Sequence, residues 1–177
     1  AAGRRLMIGW SGCPDATAEN PTVARGWQCA LTVPRELSMR DGKLCQQPAH
    51  EIERMRGDCV RATGGETVEE PGRLFDLVVS CEGAKMVELE IRKGVFVRYT
   101  DGMLTLDMGD EGYGRDQRSI ELGELRDLRA LSDTTMVEIF ANGGEAALTS
   151  RTYSPAVPAM ELHAEGAVSM QFYRLVH

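Results

Sequence analysis

The fold class of this protein is decided by residues 86–108, which read MVELEIRKGVFVRYTDGMLTLDM. The letters VELEI alternate apolar with charged side chains, which is the period-two pattern of a strand that has one buried face. The alternation resumes after Lys93-Gly94 and again after Asp101-Gly102, and an Asp-Gly pair between alternating runs is a strong hairpin signal. This stretch therefore predicts three antiparallel strands joined by tight turns.

Similar short runs follow on both sides of this stretch. They cover residues 74–80, 136–141, 146–153, 160–164 and 168–176. Leu125, Leu128 and Leu131 have helical spacing, but they run straight into the next strand, so we predict a strand there as well. Asn142-Gly143-Gly144 predicts a further hairpin. Many short strands with frequent turn signals are typical of an all-β protein in which two antiparallel sheets pack as a β-sandwich.

The N-terminal part of the chain has fewer strands and more loops. Residues 4–10 and 27–33 are predicted strands, and Asp41-Gly42 places a hairpin turn within residues 37–44. Pro48 then fits the first turn of a short helix, Ala49 to Arg56, which Gly57 would end. We therefore divide the chain into a strand-and-loop segment at 1–47, a linker helix at 48–57 and the sandwich at 58–177.

The composition excludes several classes of function. The chain has 177 residues, 42% of them hydrophobic and 27% charged, which is typical of a globular protein. Its net charge is −7, and its basic residues are spread along the sequence, so neither nucleic acid nor an anionic membrane is an expected partner. No apolar run approaches the roughly 20 residues of a membrane-spanning helix.

The five cysteines form no CxxC pair, and there are only three histidines, so no metal or other cofactor is expected. Free thiols at this density are typical of a reducing compartment, and no signal peptide is evident, so we expect a cytoplasmic protein. The opening residues, Ala-Ala-Gly-Arg-Arg, include no initiator methionine, as in a fragment of a longer protein.

No sequence motif identifies an active site. Acidic pairs such as Glu69-Glu70 lie in polar loops, where plain solvated charge is expected. His50 and His163 are expected to be ordinary helix-surface and strand residues. The glycine-rich stretch from Gly109 to Gly114 is predicted to be a loop between strands, because no helix follows to aim N–H groups at a phosphate and Gly109 stands where a calcium loop needs an oxygen ligand.

Three strings, in order along the chain, resemble the last part of glycoside hydrolase family 32, the β-fructofuranosidases. The first is RRLMIGW at residues 4–10, similar to a strand in the final blade of the five-bladed β-propeller of that family. The second is GWQCALTVPRELS at 26–38, followed by DGKL at 41–44. The third is VEIFANGGE at 137–145, followed by TSR at 149–151, and it is similar to the signature of the family's C-terminal sandwich.

The resemblance implies a fragment that is inactive alone. The three carboxylate motifs of the family belong to upstream blades, and none of them occurs in this chain. Cys13-Pro14-Asp15 is similar to the acid/base motif, but Gly12 stands where its glutamate must be. Without these carboxylates, the proton transfer and covalent steps of glycoside cleavage are lost. No catalytic residue is therefore assigned.

One residue is a candidate for sugar binding. Trp10 matches a tryptophan that the resemblance places in the fructose pocket of the intact enzyme, and an indole can pack on a furanose ring. The alternative, that Trp10 is a packed strand residue with no contact to sugar, stays open. Trp27 is expected in the core. Arg35 and Glu36 are adjacent, so we expect them to point to opposite faces of a strand and to contact different neighbours.

Three hypotheses follow for the function. In the first, the chain is a non-catalytic C-terminal β-sandwich, with strands from the last propeller blade, that supports the catalytic propeller of a β-fructofuranosidase. The expected partners are then that propeller, a sucrose-type sugar in the intact enzyme only, and a second copy in a homodimer. In the second, it is a free-standing carbohydrate-binding module. The low aromatic content of 6% argues against this hypothesis. In the third, it complements a separately encoded propeller half.

Overall fold

The computed structural model describes residues 3–12 and 20–176, and nearly all of its regular structure is β-strand. Short 3-10 helices lie at Val23–Arg25, His50–Met55, Gly109–Gly112 and Asn142–Gly144. The strands are β1 (Arg5–Met7), β2 (Trp10–Ser11), β3 (Ala30–Leu31), β4 (Arg35–Arg40), β5 (Lys43–Pro48), β6 (Arg56–Thr63), β7 (Thr67–Glu69), β8 (Phe75–Ser80), β9 (Met86–Arg92), β10 (Val95–Thr100), β11 (Met103–Asp107), β12 (Gln117–Glu121), β13 (Asp127–Ser132), β14 (Met136–Ala141), β15 (Ala146–Arg151), β16 (Ala159–Glu165) and β17 (Ser169–Leu175).

Two six-stranded antiparallel sheets form the predicted sandwich. One has the strand order β12-β11-β10-β9-β16-β7, and the other has the order β15-β14-β13-β8-β17-β6. The hairpins predicted from residues 86–108 are β9, β10 and β11, in which Val97 pairs with Leu89 on one side and with Leu106 on the other. Of the leucines with helical spacing, Leu128 and Leu131 lie in strand β13, as predicted, and Leu125 lies two residues before it.

The alternating pattern is explained by one apolar core between the sheets. Val87, Leu89 and Ile91 of β9 are fully buried in it, while their charged neighbours Glu88 and Glu90 are not. From the facing sheet, side chains of β8, β13 and β17 complete this core. A strand with one buried face and one more exposed face must alternate apolar and polar side chains in this way. Burial therefore fixes the register of β9.

The N-terminal residues form two small sheets, β1-β4-β5 and β2-β3, and here the predicted strands were too long. Residues 4–10 form β1 and β2 with a break at Gly9, whose N–H donates to the Thr32 hydroxyl at 2.9 Å. Of residues 27–33, only Ala30 and Leu31 are in a strand. The chain changes partners at the break at Gly9, because β1 pairs with β4 whereas β2 pairs with β3.

The predicted linker helix is a single 3-10 helix, His50–Met55, rather than an α-helix. Its N-cap residue, Ala49, provides no side-chain hydrogen bond to the free N–H groups of the first turn. So short an uncapped segment does not offset the cost of α-helix nucleation. The division of the chain at residues 47 and 57 stays a prediction. Within residues 3–12 and 20–176, no helix is long and apolar enough to cross a membrane.

Candidate functional site

Trp10 lies on strand β2, paired with Leu31 of β3, and its side chain is 58% exposed. It lines a cleft with a volume of about 390 Å³ between the β2-β3 sheet and the edge of the sandwich. At that edge, β12 of one sheet and β15 of the other come together. The structure therefore places Trp10 where a small molecule could reach it, and its role as a sugar contact stays a prediction.

The cleft is lined by four arginines, Arg35, Arg115, Arg118 and Arg151. The other described lining residues are Trp10, Ser11, Gly12, Thr32, Thr149 and Ser150, so none of them is a carboxylate. This concentration of positive charge stands out in a chain whose net charge is −7.

Two of these arginines are anchored by neutral neighbours. Arg115 donates from Nε to the carbonyl oxygen of Gly112 at 3.2 Å and from Nη2 to the side-chain oxygen of Asn20 at 2.7 Å. Arg118 donates from Nε to the carbonyl oxygen of Thr149 at 3.0 Å, and its terminal nitrogens have no partner in the described part of the chain. Both guanidinium groups are thus oriented by the protein while their charges stay available.

Arg151 is the most unusual residue of the cleft. Its side chain is only 3% exposed, yet none of its three guanidinium nitrogens has a hydrogen-bond partner among residues 3–12 and 20–176. The guanidinium lies over the rings of Trp27 and Tyr153, 5.3 and 5.4 Å from their centroids. A buried charge without hydrogen bonds is costly, so an anion at this position would be bound favourably.

Arg35 has a different role, because it joins the N-terminal sheet to the sandwich. Its Nε donates to Glu138 Oε2 at 3.1 Å, and the backbone N–H of Val33 donates to Glu138 Oε1 at 2.7 Å. Burial raises the pKa of the Glu138 carboxyl above its ordinary value, and the contacts from Val33 and Arg35 oppose that rise. The adjacent Glu36 pairs instead with Arg4, so the prediction that Arg35 and Glu36 contact different neighbours is confirmed.

The predicted turn at residues 142–144 also holds the two parts together. Arg40 donates to the carbonyl oxygen of Asn142 at 2.6 Å, and Gln47 donates to that of Gly143 at 2.8 Å. A Cβ on Gly144, whose φ is +88°, would lie 2.1 Å from the carbonyl oxygen of Gln46. Glycine is therefore required here, because the turn packs directly on the backbone of β5.

One further sequence prediction is wrong, one agrees with the structure and one is not tested. Trp27 was expected in the core, but it is 41% exposed, because it lies at the surface against Arg151 instead of between the sheets. Gly109–Gly112 forms a 3-10 helix between β11 and β12, and the described residues include no group of three side chains that could hold a metal ion. Cys13-Pro14-Asp15 lies outside the described residues.

The arginine cleft was not predicted as a site. Arg151 belongs to the TSR string, and Arg115 and Arg118 lie in a loop and an edge strand with no recognisable motif. The sequence contained no local signal for it, because the four arginines are spread from residue 35 to residue 151 among many other basic residues. Their convergence depends on the sheet order, which places β12 and β15 at the same edge.

Chemically, this arrangement can bind an anion and a flat sugar or aromatic ring. It cannot perform acid–base cleavage of a glycosidic bond with its described lining residues, because that reaction needs a pair of carboxyl groups. Glu138, the carboxylate nearest to Arg35, is buried and engaged in its ion pair.

Two family models match the chain. The model of the glycosyl hydrolase family 32 N-terminal domain matches residues 1–48, and that of the family 32 C-terminal domain matches residues 87–175. The match to the C-terminal model covers half of the chain, and the two models follow each other in their expected order.

Curated relatives and solved structures agree with these matches. The chain is 36% identical over 172 residues to the raffinose invertase of Escherichia coli, covering 87% of this chain and 35% of that protein. It is 32% identical over 164 residues to the sucrose-6-phosphate hydrolase of Salmonella typhimurium, covering 87% and 32%. The chain thus spans about a third of the length of these relatives.

Among solved structures, the sucrose-6-phosphate hydrolase of Lactobacillus gasseri superposes with a TM-score of 0.81 at 21% identity, over 98% of this chain and 39% of that one. The family 32 β-fructofuranosidase of Bombyx mori superposes with a TM-score of 0.79 at 20% identity, over 100% and 39%. At these identities the superpositions establish the fold.

Proposed function

Because this chain belongs to glycoside hydrolase family 32, we propose that it forms the C-terminal part of an enzyme that hydrolyses β-fructofuranosides, with sucrose or its 6-phosphate as substrate. The observation that carries the proposal is the pair of family models at residues 1–48 and 87–175. Relatives named as an invertase and as a sucrose-6-phosphate hydrolase support it. The chain spans about a third of those relatives, so the reaction would depend on further sequence.

In this proposal the chain itself is non-catalytic. The family's three carboxylate motifs are absent from its sequence, and the described cleft residues include no carboxylate. Hydrolysis of a glycosidic bond requires one carboxyl group to protonate the leaving oxygen and a second to attack or to activate water.

The role that remains is to support a catalytic β-propeller. Eight of the eleven exposed large hydrophobic side chains in the described residues lie within residues 1–47: Leu6, Ile8, Trp10, Val23, Trp27, Leu31, Met39 and Leu44. Strand β1 pairs with β4 on one side only. An open strand edge beside exposed apolar side chains is typical of a surface that another part of a protein covers. We propose that the propeller is this covering partner.

Trp10 would contact the sugar once the propeller is in place. Its exposed indole lies at the cleft, on a strand that contacts the sandwich only at its edge. An indole face packs on the apolar face of a furanose, and its N–H donates to a hydroxyl group. Free thiols at Cys29, Cys45, Cys59 and Cys81 support a cytoplasmic location for the enzyme.

A free-standing carbohydrate-binding module is the second candidate. The observation in its favour is that both tryptophans, Trp10 and Trp27, are exposed near one cleft. Calorimetric titration of the chain with sucrose, inulin and levan separates the two candidates, since only the module would bind these sugars without a propeller.

The test of the proposal compares two proteins. One sample is the purified 177-residue chain. The other is a longer protein expressed from the same gene, with any in-frame coding sequence upstream of Ala1. Each is incubated with sucrose and with sucrose 6-phosphate, and the released fructose is measured. We expect release from the longer protein only. Fructose release that follows the 177-residue chain through purification, or an upstream sequence without the family's carboxylate motifs, would contradict the proposal.

A further inference from the structure

We propose that the arginine cleft, defined by Arg35, Arg115, Arg118 and Arg151, binds a phosphoryl group, with Arg151 as its main ligand. The phosphoryl group could be that of a sugar phosphate or free inorganic phosphate. The first of these sources rests on the proposed function, whereas the site itself does not.

The charge of the cleft is the first argument. Of its four guanidinium groups, Arg35 is paired with the buried carboxylate of Glu138. Arg115, Arg118 and Arg151 have no carboxylate within ion-pair distance among the described residues. Three cations that no described carboxylate pairs with, around one cleft, attract an anion of more than one negative charge.

The state of Arg151 is the second argument, and it is independent of the first. A guanidinium that is 97% buried loses its hydration, and proteins normally compensate such a group with an ion pair and several hydrogen bonds. Here all three nitrogens lack a partner within the described ranges. Five N–H donors in a planar fork match the oxygens of a phosphate.

Two aromatic neighbours hold Arg151, which lines the cleft, in place. The rings of Trp27 and Tyr153 lie close to its guanidinium and restrict its rotation. Arg118, fixed by its bond to the Thr149 carbonyl oxygen, lines the same cleft with its terminal nitrogens available in the described part. The protein thus holds two forks in place before a ligand arrives, which lowers the entropic cost of binding.

The size of the cleft fits a phosphorylated sugar. A volume of about 390 Å³ falls within the range of small-molecule sites, roughly 300–1,000 Å³. Trp10 lines the same cleft and offers an aromatic surface beside the arginines. A phosphoryl group at Arg151 would therefore leave room for an attached sugar ring.

The experiment is a thermal-shift and calorimetric titration of the 177-residue chain with inorganic phosphate, against sodium chloride at matched ionic strength. We expect a saturable rise in Tm with phosphate alone and at least a tenfold weaker Kd for Arg151→Gln. Arg118→Gln should also weaken binding, and it tests the site if the Arg151 variant does not fold. Arg61→Gln, an exposed arginine on β6, removes the same charge and should bind as the wild type does.

Three results would overturn the proposal. They are a rise in Tm that does not saturate with phosphate, the same rise with sodium chloride, and an unchanged rise in both cleft variants. Sucrose 6-phosphate and sucrose are then titrated in parallel. Tighter binding of sucrose 6-phosphate than of inorganic phosphate would assign the site to the sugar phosphate, and equal or weaker binding would assign it to free phosphate. Neither readout depends on fructose release. The proposed function can therefore be contradicted while the phosphate site is confirmed, and the phosphate site can be contradicted while the proposed function is confirmed.

Discussion

The ion pair of Arg35 and Glu138 is the single contact that most directly joins the N-terminal strands to the sandwich. Both side chains are buried, and Glu138 also accepts the N–H of Val33. The expectation that the adjacent Arg35 and Glu36 point to opposite faces of a strand followed from strand geometry alone. The partner of Arg35 lies 103 positions away along the chain, a distance over which local sequence patterns give no information.

Glu138→Ala should reduce the free energy of unfolding by about 3 kcal/mol, because it leaves a buried guanidinium without its charge partner. The lower end of the usual range applies, since Arg35 keeps bonds to Gln46 and Thr149. Urea denaturation followed by tryptophan fluorescence measures this loss, and both tryptophans, Trp10 and Trp27, lie in the N-terminal part.

Two further variants control that measurement. Glu82→Ala removes an exposed acid from a turn and should leave the unfolding free energy within about 0.5 kcal/mol of the wild type. The double variant Arg35→Met, Glu138→Leu should recover most of the loss, because an apolar pair carries no desolvation cost. Equal unfolding free energies in the wild type and the Glu138→Ala variant would mean that the pair does not hold the parts together.

At the scale of strands and turns, the sequence predicted the interior of the sandwich well and its edges poorly. Strands β9, β10 and β11 alternate cleanly because they have neighbours on both sides and one apolar core beneath them. Strands β6, β7 and β12 were not predicted. All three are edge strands, and their mostly exposed residues leave no apolar alternation to detect.

Hydrogen exchange should distinguish the small N-terminal sheets from the sandwich. Strands β2 and β3 have two residues each, and β1 has three, so few backbone bonds hold them. We expect their amides to exchange at least about 100-fold faster than those of β8 and β13, which lie in the middle of a sheet. Mass spectrometry of peptides from a dilute monomer gives the comparison, and β14, another interior strand, is the reference. Equal protection of β1 and β13 would contradict the view that the N-terminal strands need a covering partner.

For the molecule as a whole, an expected site and an unexpected one lie in the same cleft. Trp10 could be singled out because a family resemblance identified its string. The arginines could not, because their convergence is a property of two sheet edges meeting. Arg151 becomes distinctive only when its burial and its lack of hydrogen-bond partners among the described residues are known. Sequence patterns report which residues are buried against their neighbours, but not which distant charges a fold brings together.

The exposed apolar face of the N-terminal sheet should make the isolated chain self-associate. Met39 and Leu44 lie opposite each other in the β4-β5 hairpin, are 67% and 52% exposed, and form an apolar patch. We expect the sedimentation coefficient to rise with concentration, and to rise less in a Met39→Ser, Leu44→Ser variant, because that variant has less apolar surface to bury between copies. Val60→Ser, at an exposed position on β6 of the sandwich, is the matched control and should associate as the wild type does.

The longer protein, in which we propose that a propeller covers this face, should not show this concentration dependence. A 177-residue chain that stays monomeric at all concentrations would mean that the patch is too small to drive association. Equal association of the wild type and the double variant would place the contact elsewhere, on the other exposed N-terminal side chains or on the sandwich. The same experiment therefore separates a surface that awaits its own propeller from one that joins two copies of the chain.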